Sequence, residues 1–440
     1  MPSSEEYVDL LKRIQERTAL ISVIGLGYVG LPLAVEFARA GFKVVGIDTD
    51  QEKVQKVNAG RSYIRDVHSE VVESVVQSGK LRASVEYAPL EGVDAAVICV
   101  PTPLDEAGDP DLSFVLSATQ GLANYLHQGM LVVLESTVYP GGTQECVVPI
   151  LEVSGLRVGE EFHVAFSPER IDPGNKTYGL GNTPKIVGGV TPGCLEAARA
   201  LYETIIEAVV PVSSTKTAET VKLFENSFRA VNIGFVNEMA VMCDKLGLDV
   251  WEIIEAASTK PFGFMPFYPG PGIGGHCIPV DPAYLAWKLG ELGCDARFIR
   301  LARQINSAMP RHVVGKVVGA LHAMGKSING SRVMILGVAY KADVDDVRES
   351  PALEILRLLR DRGAEVMYND PFVSTLHVDG MELQSVELDR ELLGEMDCLV
   401  IVAGHSGYDW EDIVAASSQV VDTRNATKGT TADRRKIVNL

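Results

Sequence analysis

The chain has 440 residues, 46% of them hydrophobic and 22% charged, which predicts a soluble protein of two or three globular domains. The formal net charge of −18, without a Lys/Arg cluster, argues against a nucleic-acid partner. No apolar run is long enough to cross a bilayer, and the N-terminus lacks the apolar core of a signal peptide. Seven cysteines, none in a C-x-x-C pair, favour reduced thiols in a cytoplasmic protein and no metal site.

The first part of the chain alternates apolar runs with helical patterns. Residues 19–30, ALISVIGLGYVG, form an apolar run that ends in a glycine turn, and the helical pattern LPLAVEFARAG follows. A second apolar run, FKVVGIDTD, completes a β–turn–α–β unit. Further strand candidates are DAAVICVPTP, MLVVLEST, FHVAFSPER and PKIVGGV. Residues 1–210 are therefore predicted to form a mostly parallel, doubly wound domain.

The middle of the chain changes to long helical patterns. Residues 214–247 have small or apolar side chains at three- and four-residue spacing, which predicts one long helix, and DVWEIIEAAS follows as a second. A third helical region, ARFIRLARQINSAMPRHVVGKVVGALHAMG, is expected to kink or break at Pro310. Residues 211–325 are thus predicted to form a helical domain of the kind that connects domains and subunits.

The last part, residues 326–440, returns to alternating strands and helices without the full glycine pattern. The predicted strands are SRVMILGVAY, AEVMYNDPF, DCLVIVAGH and SQVVDTRN, and PALEILRLLRDRG is a predicted helix. The predicted fold class is α/β, with two Rossmann-like doubly wound domains joined by a central, largely helical region with a long helix.

The glycine turn carries a dinucleotide-binding pattern. Gly25, Gly27 and Gly30 lie between a strand and a helix, and Asp48 ends the next strand. The first glycine permits a tight turn, the second permits close approach of a pyrophosphate, and the third permits helix–strand packing. An acid at the second strand end suits a ribose diol and favours NAD over NADP; the alternative is a glycine turn without a ligand. The NAD contacts predicted here are Gly25, Gly27, Tyr28, Val29, Gly30, Asp48 and Lys53.

A second segment, GPGIGGHCIPVDP at residues 270–282, places Cys277 in a loop that cannot be a regular helix or strand. Bare backbone N–H groups and a neighbouring His276 favour a reactive thiol, and Asp281 could order a water or accept a proton. The alternative is an inert buried thiol, which the glycines next to Cys277 make less favourable. For His276, packing or a substrate hydrogen bond is favoured over a role as catalytic base.

Two further sets of side chains are candidates for a site. Lys222 and Asn226, in TVKLFEN, share one helix face, although a snorkelling lysine and a surface amide fit the pattern equally well. Segments that follow strands of the first domain should meet at the sheet edge where open α/β sheets bind ligands. The alternative is that these segments are turns without a ligand. The strand-end candidates are Thr102, Glu135, Thr137, Glu169 and Arg170.

Taken in order, the motifs IGLGYVGLPLA, ESTVYPGGT, SPER, KLFEN, GGHCIPVDP and GVAYKADVDDVRESPA resemble those of the nucleotide-sugar 6-dehydrogenases, in the UDP-glucose/GDP-mannose dehydrogenase family. The resemblance covers nearly the whole chain. It implies that the C6 alcohol of a UDP-sugar is oxidised to a carboxylate with two NAD. It further implies a homodimer or higher homo-oligomer, whose C-terminal domain closes over the nucleotide.

The resemblance also assigns roles. Cys277 would capture the aldehyde as a thiohemiacetal that becomes a thioester, and Lys222, with Asn226 beside it, would stabilise the oxyanion. Asp281 and Glu169 would handle the proton and the hydrolytic water. Thr137 counts as a catalytic residue, and Thr102, Glu135 and Thr137 as cofactor contacts. The substrate contacts implied are Arg170, Lys222, Asn226, Phe267, Tyr268, Gly274, His276, Lys341 and Arg348.

The loop departs from the pattern of the UDP-glucose enzymes. Those typically have GGSCFPKD, whereas this chain has His276 and Val280 at the serine and lysine positions, and STKPFGFMPFYPGPG replaces an upstream arginine. These changes favour a UDP-N-acetyl-hexosamine, and GGHCIPVDPAYLAWK is most similar to UDP-N-acetylglucosamine 6-dehydrogenases, enzymes of surface polysaccharide biosynthesis. UDP-N-acetylmannosamine is the nearest alternative and UDP-glucose a weaker one. A catalytically silent NAD-binding regulator is disfavoured, because it would not need a thiol in a glycine loop.

Overall fold

The computed structural model describes residues 5–172, 175 and 177–440, which form two compact units. One comprises residues 1–225 and 283–294, and the other comprises residues 226–282 and 295–440. The predicted domain boundaries at 210/211 and 325/326 stay a prediction. Among the described residues, no helix has the length and apolar character needed to span a membrane.

The first unit is built on one eight-stranded sheet. Its strands are β1 (Leu20–Ile24), β2 (Lys43–Ile47), β3 (Leu81–Ser84), β4 (Ala95–Ile98), β5 (Leu131–Leu134), β6 (His163–Phe166), β7 (Lys185–Gly189) and β8 (Val209–Val212). The order is β3-β2-β1-β4-β5-β6-β7-β8, and among the strands formed by described residues only the β6–β7 pair is antiparallel. The first six strands thus follow the dinucleotide-binding order, whose direction reverses between β1 and β4.

Helices cover this sheet. They are α1 (Glu5–Gln15), α2 (Gly30–Arg39), α3 (Gln51–Asn58), α4 (Ser69–Gln77), α5 (Ser113–Ala123), α6 (Val148–Glu152) and α7 (Pro192–Tyr202). Strands β4, β5 and β6 are buried throughout, because such crossovers cover both faces of a parallel sheet. Apart from His163 at the start of β6, their residues are all apolar, which explains why these strands were predictable.

The central helices are α8 (Thr215–Leu246), α9 (Val250–Ser258), α10 (Asp281–Glu291) and α11 (Arg297–Ala323). The predicted long helix over 214–247 is therefore confirmed. Helix α11 continues through Pro310, so the expected break there is wrong. Pro310 is buried within the helix, and one turn before it the buried Asn306 side chain accepts a hydrogen bond from Asn237 at 2.9 Å and donates to the Ala230 carbonyl at 3.2 Å.

The C-terminal part of the second unit repeats the α/β architecture. Its strands are β9 (Arg332–Leu336), β10 (Glu365–Asn369), β11 (Thr375–Val378), β12 (Met381–Gln384), β13 (Cys398–Ile401), β14 (Val420–Asp422) and β15 (Ile437–Asn439), and its helices are α12 (Pro351–Arg360), α13 (Arg390–Glu395) and α14 (Trp410–Ala416). The five-stranded sheet is all parallel, in the order β10-β9-β13-β14-β15, and β11 and β12 form a separate hairpin. Without that hairpin, the order is the doubly wound 2-1-3-4-5. The predicted fold class is confirmed.

Candidate active site

The three glycines of the turn after β1 differ in their surroundings. Gly25 has φ +93°, and a Cβ there would lie 2.5 Å from the backbone oxygen of Cys99. A Cβ on Gly30 would lie 1.8 Å from the backbone oxygen of Gly25. Among the described residues, by contrast, no heavy atom lies within 4 Å of a Cβ placed on Gly27. The fold itself therefore requires Gly25 and Gly30, whereas Gly27 faces open space at the start of α2.

The end of β2 supports this turn. The Asp48 carboxylate accepts a hydrogen bond from the Leu26 backbone N–H at 2.8 Å, and the Lys53 ammonium lies 3.8 Å from it. The half-exposed Tyr28 lies in the turn. Open space beside Gly27, the N-terminus of α2 and a carboxylate at the next strand end fit the pyrophosphate and ribose of a dinucleotide.

The predicted strand-end candidates follow three adjacent strands, β4, β5 and β6. The Ser136 hydroxyl, between Glu135 and Thr137, donates to the Val100 carbonyl at 2.8 Å and ties the β5 end to the β4 end. Thr102 and Thr137 are both half-buried. The strand ends that carry these residues therefore lie at one edge of the sheet, as predicted.

Glu135 is buried rather than facing that edge. Its Oε1 lies 3.0 Å from the Lys185 ammonium and accepts a short hydrogen bond from the Tyr202 hydroxyl. The Lys185 ammonium also lies 3.9 Å from Glu169 Oε2. Sequence reasoning missed Lys185, and the only signal was a lysine at the start of the otherwise apolar strand β7.

Lys222 and Arg170 each bind residues of the same unit. The Lys222 ammonium donates to the Glu169 backbone carbonyl at 2.6 Å, and Lys222 is only 8% exposed. A snorkelling surface lysine is thereby excluded. Arg170 donates through two nitrogens to the Glu225 carboxylate, at 2.6 and 3.2 Å, and also to the Pro184 carbonyl at 2.6 Å. The strand-end segment that contains Glu169 and Arg170 extends to residue 174, and its residues 173 and 174 lie outside the described residues.

In the second unit, Asn226 and Asp281 form a buried pair. Asn226 Nδ2 donates to Asp281 Oδ2 at 2.6 Å, and the two residues are 6% and 3% exposed. Asn226 is therefore not a surface amide. The Asp281 backbone N–H, at the first residue of α10, donates to the carbonyl of the half-buried Cys277 at 2.8 Å. The predicted partners of Cys277 within this unit are thus brought together.

The glycines of the cysteine loop lie against the segment 340–351. A Cβ on Gly274 would lie 2.7 Å from Tyr340 Cβ, and the Gly275 N–H donates to the Arg348 carbonyl at 3.0 Å. At the start of the loop, the Gly270 N–H donates to the Asn237 side chain at 2.9 Å. The glycines thus permit close packing that fixes the cysteine loop on the C-terminal α/β part of its own unit.

The other predicted substrate contacts surround this loop. Phe267 packs edge-on against Phe228, with ring centroids 5.8 Å apart, and the exposed Tyr268 stacks on Trp251 at 6.1 Å. The exposed His276 lies next to the cysteine.

The segment 340–351 also holds an internal ion pair. Arg348 donates to the Asp346 carboxylate at 2.6 Å. Burial opposes ionisation of Asp346, but these hydrogen bonds outweigh it and keep its pKa below the ordinary value. The Arg348 guanidinium is thereby held in place.

A cavity of about 470 Å³ opens at the carboxyl ends of β9, β13 and β14. Its lining includes Lys341, which was predicted, and Arg424, His405 and Trp410, which were not. Arg424 directly follows β14, and its Nε donates to the Val402 carbonyl at 2.8 Å. Burial lowers the pKa of Arg424 to about 10, so the guanidinium stays charged at neutral pH. Two cations and an indole ring suit a phosphate and a base.

A buried pair fixes the wall of this cavity. His405 Nε2 lies 3.0 Å from Asp370 Oδ2, which also accepts the Val338 and Ala339 N–H groups at 2.7 and 3.0 Å. His405 Nδ1 accepts the Asp343 N–H at 2.9 Å, so this ring is an Nε2–H tautomer that donates to Asp370. The pair ties the loop carrying Lys341 to the strand ends.

Comparison with known proteins identifies relatives over nearly the whole chain. Three models of the UDP-glucose/GDP-mannose dehydrogenase family match: the NAD binding domain at residues 19–206, the central domain at 216–308 and the UDP binding domain at 334–429. The chain is 36% identical to UDP-N-acetyl-D-mannosamine dehydrogenase of Pyrococcus horikoshii over 93% of this chain and 96% of that protein. It is also 36% identical to UDP-N-acetyl-D-glucosamine 6-dehydrogenase of Pseudomonas aeruginosa, over 88% and 91%.

Solved structures agree with this assignment. The structure of the Pyrococcus horikoshii UDP-D-ManNAc dehydrogenase superposes with a TM-score of 0.86 at 35% identity, covering 96% of this chain and 98% of that one. An NDP-N-acetyl-D-galactosaminuronic acid dehydrogenase from Methanosarcina mazei superposes with a TM-score of 0.81 at 30% identity, covering 100% and 98%.

Proposed function

The chain belongs to the UDP-glucose/GDP-mannose dehydrogenase family and is an NAD-dependent nucleotide-sugar dehydrogenase acting on a UDP-sugar, and we propose that this sugar is a UDP-N-acetyl-hexosamine, oxidised at C6 to the uronic acid. UDP-N-acetylglucosamine is our first candidate. The observation that carries the proposal is the cysteine loop, in which His276 and Val280 replace the serine and lysine typical of UDP-glucose enzymes. UDP-N-acetylmannosamine is the second candidate, because several relatives at 36–38% identity are named for it.

The residues of the cysteine loop account for a four-electron oxidation. Bound NAD accepts a hydride in each of the two oxidations. Between them, the Cys277 thiolate adds to the C6 aldehyde and forms a C–S bond, which creates a tetrahedral carbon with an oxyanion. The second oxidation converts this thiohemiacetal to a thioester. Water then adds, the C–S bond breaks, and the thiolate leaves. One alcohol, one water and two NAD⁺ thus give one carboxylate, two NADH and three protons.

Four other residues carry the charge and the protons in this proposal. Lys222 stabilises the oxyanion as a cation, with Asn226 as an amide donor. The contact of Asn226 with the Asp281 carboxylate supports a shared role, in which Asp281 orients the amide and accepts a proton. Glu169 accepts the proton of the hydrolytic water. Burial of Lys222 and Asn226 supports these assignments, since a desolvated donor stabilises an oxyanion more strongly than an exposed one.

We propose that the C-terminal cavity binds the nucleotide part of the substrate. Lys341 and Arg424 supply charge for the diphosphate, and Trp410 supplies a ring on which a base can stack. The segment 340–351 contacts both sites: it contributes Lys341 to the cavity, and its Arg348 carbonyl accepts the Gly275 N–H of the cysteine loop. Nucleotide binding on this segment would therefore orient Cys277.

We also propose a cytoplasmic homodimer or higher homo-oligomer, whose product feeds surface polysaccharide synthesis. Helix α8 exposes apolar side chains at heptad spacing, namely Phe228 (44%), Phe235 (61%) and Met242 (45%). Such a stripe is typical of a helix that packs on another chain. Sedimentation velocity of the purified protein tests this; a concentration-independent monomer would contradict it.

One assay tests the catalytic proposal. Purified protein is given NAD with UDP-N-acetylglucosamine, UDP-N-acetylmannosamine or UDP-glucose, and NADH and the uronic acid are quantified. We expect two NADH per sugar and the highest kcat/KM with an acetamido sugar. A preference for UDP-glucose would overturn the substrate class, and NAD binding without turnover of any of the three would favour a silent regulator.

The specificity segment can be tested separately. Residues 258–272, STKPFGFMPFYPGPG, are replaced by the arginine-containing segment of a UDP-glucose enzyme. We expect the preference to move toward UDP-glucose, because Phe267 and Tyr268 are lost. An unchanged preference, in a variant that keeps the wild-type melting temperature, would exclude this segment as the determinant.

A further inference from the structure

Glu219 is a fully buried acid in the part of helix α8 that belongs to the first unit. Its side chain accepts two backbone hydrogen bonds from residues 78 and 76 positions earlier in the chain. Oε2 accepts the Gly141 N–H at 2.5 Å, and Oε1 accepts the Thr143 N–H at 3.0 Å. Buried acids are rare unless they are paired or hydrogen-bonded, and here each carboxyl oxygen has a donor. Glu219 takes no part in the proposed catalytic steps, so these two contacts are the clue to its role.

The two donors lie at the end of the segment that follows β5, residues 135–143. Gly141 has φ +100°, in the left-handed region that favours glycine, so the chain turns there. Thr143 is the first residue of a helical turn, Thr143–Val147, which leads into α6. The first N–H groups of a helix have no partner within it, and Glu219 supplies an acceptor for the one at Thr143. Glu219 thus fixes the end of this segment.

The start of the same segment is fixed independently. The Ser136 hydroxyl donates to the Val100 carbonyl at 2.8 Å, which ties the segment to the end of β4. Thr137, the predicted cofactor contact, is half-buried and lies between Ser136 and the turn that Glu219 fixes. Its position at the sheet edge therefore depends on both attachments.

Helix α8 contacts the neighbouring strand end in the same way. Lys222 lies three residues after Glu219, on the same helix face, and its ammonium donates to the Glu169 carbonyl at 2.6 Å. Glu169 follows β6, which pairs with β5. The start of α8, within the first unit, therefore holds the segments that follow both strands.

The sheet order indicates which half of the cofactor these segments receive. A dinucleotide-binding sheet has two halves, one for each mononucleotide, on either side of the reversal between β1 and β4. The glycine turn after β1 and Asp48 after β2 suit the pyrophosphate and the adenosine ribose. The segments after β4, β5 and β6 are then the ones that face the nicotinamide nucleotide.

We infer that Glu219 is a positioning residue for the nicotinamide half of NAD: its two hydrogen bonds set the position of the segment 135–143, and so of Thr137, at the sheet edge. Because Glu219 is fully buried, it acts through this segment and not by contact with the cofactor. The inference rests on the proposed function and on the assignment of Thr137 as a cofactor contact.

The test uses Glu219→Gln, which keeps the size of the side chain and replaces one acceptor oxygen with an NH2 group. That group would face a backbone N–H, so one of the two hydrogen bonds is lost. Calorimetric titration compares NAD with ADP, which has the adenosine and the diphosphate but no nicotinamide ribose or ring. We expect the Kd for NAD to rise about tenfold and the Kd for ADP to stay at the wild-type value. In turnover, KM for NAD should rise and KM for the UDP-sugar should not.

Two control variants separate positioning from stability. Glu203→Gln changes a surface acid paired with Arg199 at the end of α7 and should alter neither Kd. Leu10→Ala removes a buried side chain of α1 and should lower the melting temperature without changing the ratio of the NAD and ADP Kd values. If Glu219→Gln raises both Kd values equally, or raises neither, the inference is overturned, since Glu219 would then serve only the stability of the unit.

Hydrogen exchange of the wild-type chain provides a test that requires no variant. NAD should slow the exchange of backbone amides in residues 135–143 more than ADP does at equal saturation, because only NAD has the nicotinamide nucleotide. Equal protection by the two ligands would overturn the inference even if Glu219→Gln does not fold. Neither binding nor exchange requires turnover. A wild-type protein that produces no NADH from any UDP-sugar would therefore refute the proposed function and not this inference.

Discussion

The glycine turn after β1 makes opposite predictions for two substitutions three residues apart. In Gly30→Ala the new Cβ would lie 1.8 Å from the Gly25 backbone oxygen, far inside van der Waals contact, so backbone must move. We expect a loss of about 3 kcal/mol or more in unfolding free energy. In Gly27→Ala, no described heavy atom lies within 4 Å of the new Cβ. This variant should fold as the wild type does, or be up to about 1 kcal/mol more stable.

The effect of Gly27→Ala should appear in cofactor binding instead. A methyl group in the space beside the α2 N-terminus would displace the pyrophosphate from backbone donors, each worth about 1.5–3 kcal/mol with a charged acceptor. A loss of about 2 kcal/mol corresponds to a roughly 30-fold higher Kd for NAD. Thermal unfolding and calorimetric titration with NAD measure the two effects. Wild-type NAD affinity in a folded Gly27→Ala variant would refute the assignment of this turn to the pyrophosphate.

Three further predictions concern other parts of the fold. Gly274→Ala should lower kcat at least about tenfold, because its Cβ would lie 2.7 Å from Tyr340 Cβ and displace the cysteine loop, whereas Gly290→Ala in α10 should leave turnover intact. Burial lowers the pKa of His163 to about 4, so stability should fall by up to about 3 kcal/mol as pH drops from 6.5 to 4, where only the unfolded state binds the proton. Asp370→Asn should cost roughly 3 kcal/mol, because a charged acceptor of two backbone N–H groups is lost, and should raise KM for the UDP-sugar.

A different result would contradict each of these three predictions. Equal turnover of the Gly274→Ala and Gly290→Ala proteins would show that the cysteine loop accommodates a Cβ at position 274 without displacing Cys277. Urea unfolding at a series of pH values measures the unfolding free energy. Between pH 6.5 and 4 this free energy should fall less steeply in His163→Gln than in the wild type. The same decline in both proteins would show that other groups cause it. An unchanged KM in a measurably destabilised Asp370→Asn protein would separate the buried pair from nucleotide binding.

The parts of the fold and of the candidate site that depend only on residues close together in the sequence could be predicted from it. Strands β4, β5 and β6 are fully buried runs, and α8 shows its periodicity over 32 residues. The glycine turn was predictable because each glycine serves a separate local need. Cys277 and Asp281 could be proposed as site residues for the same reason, because both lie in one short loop.

The residues that were missed depend on pairing between distant strands. Lys185 begins an apolar strand, and only the folded sheet brings the Glu135 and Glu169 carboxylates, which follow two other strands, close to it. Arg424 likewise lines the cavity only because β14, which it follows, pairs with β13. The break expected at Pro310 is wrong for a related reason, since α11 is packed around the proline by contacts with residues distant in sequence, such as those of Asn306 with Asn237 and Ala230.

The central claim is that Cys277 carries the sugar through the second oxidation. The most direct measurement is the yield of NADH and uronic acid per UDP-N-acetyl-hexosamine for the wild type and for Cys277→Ser. The account predicts two NADH and one acid for the wild type, and for the variant no more than one NADH, with acid formation reduced at least about 100-fold. A Cys277→Ser enzyme that produces the acid at the wild-type rate would contradict it.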